Sequence, residues 1–197
     1  MGAFRRALRH EAVLFGSIGL MLRRRKDVPD DGVALPYAGP QRPMVVVFLV
    51  VSLVETGAFL LVDFGRVGGA ILLVTEIYTA AWLLGYLAAA STRPHVLSPR
   101  ELRLRAVAMF DLRVPLADIE SVTARKETHQ SARMLVWGDE ELALPQNMET
   151  NVVVLLRRPV VATRPLGRTE TVRVLKFFTE DPALAVRAFS SACGRLG

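Results

Sequence analysis

The sequence contains little of the chemistry that enzymes and metal sites use. Its single cysteine, Cys193, can form no disulfide within the chain and no thiolate cluster for a metal ion. The three histidines, His10, His95 and His129, are scattered, and there is no Cys/His metal spacing, no Gly-rich phosphate loop and no nucleophile elbow. We therefore expect a protein that is not an enzyme and that uses no cofactor and no metal.

Strong charge of one sign is also absent. The chain carries 25 Lys and Arg against 19 Asp and Glu, a formal net charge of +6, and only 7% of its residues are aromatic. Because acidic residues dilute the basic ones and no aromatic stacking platform accompanies them, nucleic acid is not expected as a partner. The chain has instead an excess of hydrophobic residues, which make up 51% of its length.

Two long apolar runs hold most of this excess. The first covers residues 44–62 and the second residues 68–90, with a polar stretch between them. At about 1.5 Å per residue, a helix of either length crosses a hydrocarbon core of roughly 30 Å. Since a spanning segment must satisfy its own backbone hydrogen bonds, the pattern predicts a transmembrane helical hairpin over residues 44–90.

Each predicted span carries one carboxylate at a similar depth, Glu55 in the first and Glu76 in the second. Carboxylates inside a membrane are costly, and two interpretations are open. In the functional interpretation, the pair is a proton or ion relay, or a contact for a polar group of another membrane subunit. In the structural interpretation, it is polar packing between the two helices. A relay needs an oligomer or a partner, because two helices alone enclose no pathway.

Residues 1–43 are predicted to form a basic amphipathic segment followed by a linker. The apolar residues of the first helix share one face, which favours a helix lying in the membrane interface over a cleaved signal peptide. These residues are Phe4, Leu8, Phe15, Ile18 and Leu22. The Pro, Gly and Asp content of residues 27–43 indicates a linker that leads into the membrane.

A basic cluster follows the first helix and consists of Arg23, Arg24, Arg25 and Lys26. It either binds anionic lipid headgroups or serves only as a topology signal. Basic residues are frequent on both outer flanks of the hairpin, whereas its turn holds Arg66 alone. The positive-inside rule therefore predicts a multi-pass protein of the cell inner (plasma) membrane with both termini in the cytoplasm.

After residue 90 the apolar period changes from helical to alternating. Leu102 and Leu104 alternate with Arg103 and Arg105, which is typical of a half-buried antiparallel strand. Asp181 is a plausible N-cap for a closing helix with Pro182 at its first position. Strands are predicted at residues 101–105, 119–125, 133–137, 141–144, 151–157, 160–163 and 171–178. His95, where the chain leaves the second span, is expected to be an interfacial linker residue.

Two segments of residues 91–197 resemble the opening of bacterial pleckstrin-homology-like (PH-like) domains found in small membrane proteins, especially of actinobacteria. The segments are VLSPRELRLR at residues 96–105 and VPLADIESV at residues 114–122, and the helix starting at Asp181-Pro182 matches the closing helix of that family. The resemblance implies an antiparallel β-barrel or sandwich closed by a C-terminal helix, and two preceding membrane helices are typical of it. The glycine that is usual in the first hairpin is missing from residues 106–111.

The expected fold class is thus an α+β membrane protein: an interfacial helix, a transmembrane hairpin and a cytoplasmic PH-like domain. Arg103, Arg105 and Arg113 are its candidate binding residues, either for lipid phosphate or as a solvated face. The resemblance implies binding of lipids, peptides or proteins, but no reaction. We therefore expect a membrane-anchored interaction protein that binds a protein partner or anionic lipid headgroups, with a homo-oligomer also considered. The alternative is an accessory subunit of a transporter or proton-coupled complex that uses Glu55 and Glu76.

Overall fold

The computed structural model describes residues 2–59, 61–62, 64–165 and 167–193, and within these ranges the side chains of residues 8–192. The described chain has an α+β fold with four α-helices and two β-sheets. The helices are α1 (Gly2–Leu22), α2 (Arg42–Phe59), α3 (Gly65–Thr92) and α4 (Pro182–Cys193). A short 3₁₀ turn, Gly39–Gln41, leads directly into α2.

The two apolar runs form α2 and α3. Counting the 3₁₀ turn, the first helical stretch has 21 residues and α3 has 28, and both are long and apolar enough to cross a membrane. In the most apolar 18-residue window of each, only 6% and 0% of the residues are buried inside the protein. A core helix of a soluble protein would be mostly buried, so these helices present their apolar side chains to the surroundings.

Helix α1 packs on the second half of α3 with a face that the sequence pattern did not single out. Leu14 is 4% exposed and lies against Gly85, where an added Cβ atom would stand 2.6 Å from the Leu14 Cδ2 atom. Leu8 and Leu22, which belong to the predicted apolar face, are 50% and 77% exposed. Phe15 and Ile18 of the same face are half-buried, so only its two described ends are exposed, and Phe4 lies outside the residues whose side chains are described.

The first sheet has four antiparallel strands in the order β1-β2-β3-β4. They are β1 (Val33–Leu35), β2 (His95–Leu97), β3 (Glu101–Ala106) and β4 (Phe110–Pro115). Strand β1 comes from the segment that was expected to be a linker, and it brings the almost fully buried Leu35 and Tyr37 into the core. Residues 27–43 are thus part of the folded domain, because β1 supplies an edge strand to β2.

The second sheet has five strands in the order β5-β8-β9-β7-β6. They are β5 (Ile119–Thr128), β6 (Val136–Trp137), β7 (Glu141–Leu144), β8 (Glu149–Thr163) and β9 (Thr169–Phe177). The two strands predicted at residues 151–157 and 160–163 are one continuous strand, β8, with a register shift opposite β9 between Leu155 and Val160. Strands β7 and β9 pair in parallel, so the expectation of a purely antiparallel sheet is wrong.

One hydrophobic core lies between the two sheets and is covered by α4. Leu104 and Val114 of the first sheet, Val154 and Leu175 of the second sheet, and Phe189 of α4 belong to the same cluster of buried side chains. Helix α4 starts as predicted: the Leu184 backbone N–H donates to the Asp181 Oδ1 atom at 2.8 Å, and Pro182 is the first helical residue.

The turn between β3 and β4 contains a strained residue at the place where the resemblance led us to expect glycine. Val107 has φ = +51°, a left-handed conformation that is an outlier for a β-branched residue. Its backbone N–H donates to the Tyr37 Oη atom at 2.9 Å, and its side chain packs in a second cluster with Leu14, Ala89 and Ala90. Such strain costs on the order of 1–3 kcal/mol, and the surrounding contacts hold it in place.

Candidate anion-binding site

Basic side chains from four parts of the chain meet around one cavity of about 280 Å³. The cavity lies beside the C-terminal end of α3, between α1, the β3–β4 hairpin and the turn after β8. Its basic lining residues are Arg9, His10, Arg93, Arg103, Arg105 and Arg164. Guanidinium groups gathered around a concave site are the usual way in which proteins bind phosphate and carboxylate groups.

Arg93 is fixed directly after α3 by contacts to α1 and to the segment that follows α1. Its Nε atom donates to the Ser17 Oγ atom at 3.0 Å, and its Nη1 atom lies 3.5 Å from the Asp27 Oδ2 atom. The Asp27 backbone N–H in turn donates to the Thr92 carbonyl oxygen at 2.8 Å. The position of Arg93 therefore depends on the chain before the helical hairpin as well as on α3 itself.

Arg105 is the most deeply buried charge of the site, at 2% exposure. Its Nη1 atom donates to the Asp27 carbonyl oxygen at 2.8 Å, and its Nη2 atom lies 3.1 Å from the Asp27 carboxylate. The Nε–H group has no hydrogen-bond partner within the described residues. Burial lowers the pKa of Arg105, although Asp27 acts in the opposite direction, and the group stays charged because an arginine pKa is far above neutrality.

Arg103 lies two residues earlier on β3 and therefore on the same face of the strand. It forms a two-pronged ion pair with Asp111 of β4, with the Nε atom 2.8 Å from the Oδ1 atom. Burial alone would raise the pKa of Asp111, but the hydrogen bond and charge of Arg103, together with Arg105 and Arg113, hold it below its usual range. The Asp111 carboxylate is thus ionised at neutral pH and neutralises part of the positive charge of Arg103.

The remaining arginines leave the site with positive charge in excess. Arg164 pairs with Glu170 at 2.6 Å and stacks over the Trp137 ring at 4.7 Å, while Arg9 has no ion pair among the described residues. Five guanidinium groups therefore face three carboxylates: Asp27, Asp111 and Glu170. Because Arg93 and Arg105 share Asp27 and Arg9 has no ion pair among the described residues, the site carries a net excess of two positive charges, which a small anion in the cavity would compensate.

A second, more open cavity of about 600 Å³ shares Arg93 and Arg103 with the first. Its other basic lining residues are Arg25 and Lys26, so half of the basic cluster after α1 joins Arg103 of β3. Arg23 and Arg24 are exposed and line neither cavity. The structure thus brings together two sets of candidate residues that are almost 80 positions apart in the sequence.

Arg113 is not part of this site. It follows Arg103 and Arg105 in the expected group, but it projects from β4, is 59% exposed, and pairs with Glu101 at 3.6 Å. It lies directly opposite Arg103 in the register of β3 and β4, yet it lines neither cavity. The expected group of three arginines therefore splits into two cavity residues and one surface residue.

Glu55 and Glu76 do not meet. The Glu76 Oε2 atom accepts a hydrogen bond from the Ser52 Oγ atom at 2.9 Å, and the Thr56 Oγ1 atom lies 3.5 Å away. Glu55 is exposed on α2 and, in the described part of the chain, has no hydrogen-bond or ion-pair partner. Glu76 is therefore a polar link between α2 and α3, and among the described residues it makes no hydrogen bond to Glu55.

His95 is a core residue rather than an interfacial linker residue. It is 1% exposed, stacks on Tyr37 with ring centroids 4.6 Å apart, and accepts a hydrogen bond at Nδ1 from the Arg105 backbone N–H at 3.0 Å. Burial lowers the pKa of His95 to about 3; a contact with the Phe178 backbone opposes this effect, and the charge of Arg105 adds a smaller decrease. The neutral imidazole thus supports the strand that carries Arg105.

Sequence reasoning missed Asp27, Arg9, Arg93 and Arg164 as parts of this site. Arg93 could have been singled out because it directly follows an apolar run, but the other three have no local signal. Among the described residues, no group of three or more His, Cys, Asp and Glu side chains could hold a metal ion. Comparison with known proteins found no matching family model, no matching curated protein and no matching solved structure.

Proposed function

We propose that this protein is anchored in a membrane by the α2–α3 hairpin and that its β domain binds anionic headgroups in the arginine-lined cavity. The observation that carries the proposal is the convergence of five arginines, with two charges in excess, at the C-terminal end of α3. No catalytic constellation accompanies these residues in the described chain. The proposed activity is therefore binding, and no reaction is assigned.

The exposed side chains of α2 and α3 support the membrane anchor. Large apolar residues such as Val54, Val67 and Val74 are 66%, 75% and 68% exposed. Contiguous apolar surface of this extent is unfavourable in water and favourable in hydrocarbon. Pairing of β1 with β2 also requires the chain before and after the hairpin to lie on the same side of any membrane it crosses.

The length of α3 supports a cavity at headgroup level. Its 28 residues extend about 42 Å, more than the roughly 30 Å of a hydrocarbon core. The last part of α3, from Gly85 onward, is largely buried against α1 and the β domain. The Tyr86 Oη atom donates to the Gln41 Oε1 atom at 2.8 Å, which aligns the start of α2 with this level of α3. Arg93 follows Tyr86 by seven residues, or about 10 Å along a helix, close to the lipid headgroups.

The arrangement of the β domain supports the PH-like interpretation. Two sheets enclose one core, and a C-terminal helix covers it, as the resemblance implies. The basic residues lie on the side of the domain that carries both chain termini of the hairpin, so a cytoplasmic placement follows from the positive-inside rule. A reporter fused to the C-terminus is expected to be active in the cytoplasm and inactive outside it.

The headgroup proposal is tested by native mass spectrometry of the detergent-solubilised protein with phosphatidylglycerol or phosphatidylcholine. The test variant combines Arg9→Gln with the balanced pair Arg103→Gln and Asp111→Asn, which leaves no carboxylate without its partner. Charge-assisted hydrogen bonds contribute roughly 1.5–3 kcal/mol each, so phosphatidylglycerol should bind at least about tenfold more weakly. Binding of phosphatidylcholine should not change.

A matched control makes the same change in net charge outside the cavity. It combines Arg113→Gln with Glu101→Gln and adds Arg100→Gln, an exposed residue that is not part of either cavity. This variant should bind phosphatidylglycerol like the parent protein. Equal losses in the two variants would mean that net charge alone governs binding and would reject the cavity.

A contact with another membrane subunit is the second candidate function, and Glu55 favours it. An exposed, unpartnered carboxylate on a membrane helix is costly unless a polar group of another chain covers it. Substitution Glu55→Gln should weaken that association, as measured by cross-linking in native membranes, whereas Glu76→Gln should act on the hairpin itself. An unchanged cross-linking pattern for Glu55→Gln would exclude this role.

A further inference from the structure

A third, chemically different cavity lies between the helical hairpin and the β domain. It is a groove of about 540 Å³ between the first turns of α2, the C-terminal half of α3 and two loops of the β domain. From the helices it is lined by Val45, Phe48, Trp82 and Tyr86, among others; from the domain it is lined by residues 132–134 and by Pro145, Asn147 and Met148. Its volume is in the range of roughly 300–1,000 Å³ that small-molecule sites occupy.

Two hydrogen bonds fix the water-facing end of this groove. The Tyr86 side chain bonds to Gln41, and the Asn147 Nδ2 atom donates to the Pro40 carbonyl oxygen at 3.3 Å. The groove therefore begins where the chain enters α2 and continues along α2 and α3 in the direction of the hairpin turn. On the proposed topology, one end of the groove lies at the headgroups and the other opens into hydrocarbon.

The walls suit a flexible apolar chain. Met44, Phe48 and Met148 are 62%, 53% and 45% exposed, so apolar surface in the groove is left uncovered by the protein. Methionine side chains are flexible and adapt to irregular occupants, and Met134 adds a third to the lining. Trp82 stacks on Tyr86 with ring centroids 5.8 Å apart, and such amphipathic rings are typical of the membrane boundary.

The polar lining of the groove carries a charge of one sign. Arg133 is exposed and, within the described residues, has no ion pair, and the Gln41 and Asn147 amides and the Tyr86 hydroxyl are uncharged polar groups of the lining. No acidic residue lines the groove. The site therefore combines an apolar channel with a single guanidinium group, which matches an amphiphile with a negatively charged head.

We propose that this groove holds one acyl chain of an anionic phospholipid, with the lipid phosphate at Arg133. The inference rests on the membrane anchor of the proposed function but not on the arginine-lined cavity, which lies beside α1 and shares no lining residue with the groove. A bilayer lipid is the occupant because two of the groove walls are the helices that contact hydrocarbon. The lipid holds the β domain against the hairpin at a defined angle.

The test uses the full chain reconstituted in bilayers that contain two phosphatidylglycerol probes, one with a photoreactive diazirine near the glycerol end of an acyl chain and one with it in the middle of the chain. After irradiation, labelled peptides are mapped by mass spectrometry. The expected result is labelling of residues 132–134 and 145–148, which belong to the β domain, in addition to the exposed helix positions around Val74. The double substitution Ala132→Trp and Met148→Trp, which fills the groove, should reduce the loop labelling at least threefold and leave the Val74 region unchanged.

Headgroup selectivity is tested with the same probes on a phosphatidylcholine scaffold. The loops should be labelled several times more strongly by the phosphatidylglycerol probes, and Arg133→Gln should remove this preference. Val161→Trp, an exposed position on β8 outside the groove, is the matched control and should change nothing.

The outcomes separate this proposal from the proposed function. Unlabelled loops together with a labelled Val74 region would overturn the groove and leave the anchor intact. An unlabelled Val74 region would overturn both, because the hairpin would not be in the bilayer. Protein–protein cross-links at the loops, or loop labelling that persists in the groove-filled variant, would assign the groove to a second chain or to chance contact and would also overturn the proposal.

Discussion

Asp27 binds Arg105 through two different groups: its carboxylate lies 3.1 Å from the Arg105 Nη2 atom, and its backbone carbonyl accepts a hydrogen bond from Nη1 at 2.8 Å. The carboxylate also lies 3.5 Å from Arg93, so one acidic residue partly neutralises two arginines of the cavity. A residue of the segment after α1 thereby sets both the stability and the net charge of the site.

Substitution Asp27→Asn should destabilise the protein and strengthen anion binding. Removing the partner of a buried charge costs about 3–5 kcal/mol, and the 40% exposure of the Asp27 side chain reduces this to about 1–3 kcal/mol. Thermal unfolding in detergent measures the loss, and titration with phosphatidylglycerol measures the gain. The control is Asp31→Asn, an exposed position in the same segment without an ion pair in the described chain; an equal effect there would contradict the role of Asp27.

Stability should fall as the pH drops from about 6.5 toward 3 because of His95. Its folded-state pKa of about 3 lies below the ordinary value of 6.5, so the unfolded chain binds the proton first and the stabilising contribution is complete only above about pH 6.5. The full shift corresponds to on the order of 5 kcal/mol. The measurement compares the pH dependence of unfolding with that of His95→Gln, which keeps an acceptor for the Arg105 N–H group; parallel curves would rule out His95 as the cause.

Substitution Gly85→Ala should push α1 away from α3. The new Cβ atom would stand 2.6 Å from the Leu14 Cδ2 atom and 3.1 Å from its Cγ atom, which is closer than packed atoms approach. Overpacking of this kind costs about 1–3 kcal/mol. Unfolding measurements on Gly85→Ala, Leu14→Ala and the double variant test the contact, and the double variant should recover part of the loss. Simple additivity would show that the two residues do not touch.

Substitution Ser52→Ala should loosen the helical hairpin. It removes the hydrogen bond to Glu76 at 2.9 Å, and interhelical bonds of this kind contribute roughly 0.6 kcal/mol on average and up to about 1.7 kcal/mol. The effect is measured as a lower midpoint of unfolding in detergent. Glu55→Gln serves as the control because Glu55 is exposed and has no hydrogen-bond partner among the described residues, and a larger effect of that change on the isolated protein would disprove the assignment.

The sequence pattern identifies features that depend on local periodicity. Hydropathy gave the positions of α2 and α3, alternation put Arg103 and Arg105 on one face of β3, and the Asp181-Pro182 pair marked the start of α4. Each of these features is determined by neighbours within a few residues of the chain. Local physics is therefore sufficient to locate them.

The sequence pattern does not predict features that depend on packing between distant segments of the chain. Arg105 and Arg113 both alternate with apolar residues, and Arg105 is buried only because Asp27 and the end of α3 cover its side of the sheet. Strand β1 has three residues in a segment rich in proline and glycine, and it exists because β2 pairs with it across some 60 residues. The parallel pairing of β7 with β9 likewise has no signal in either strand alone.

The pairing of β1 with β2 has a consequence for how the protein is made. During synthesis, residues 33–35 emerge first and have no partner until both helices and residues 95–97 have followed. On the proposed topology, the first sheet can close only after both helices have been inserted and the growing chain has returned to its starting side. A chain that failed to return would keep β1 as an unpaired edge strand, so closure of the first sheet would depend on correct insertion.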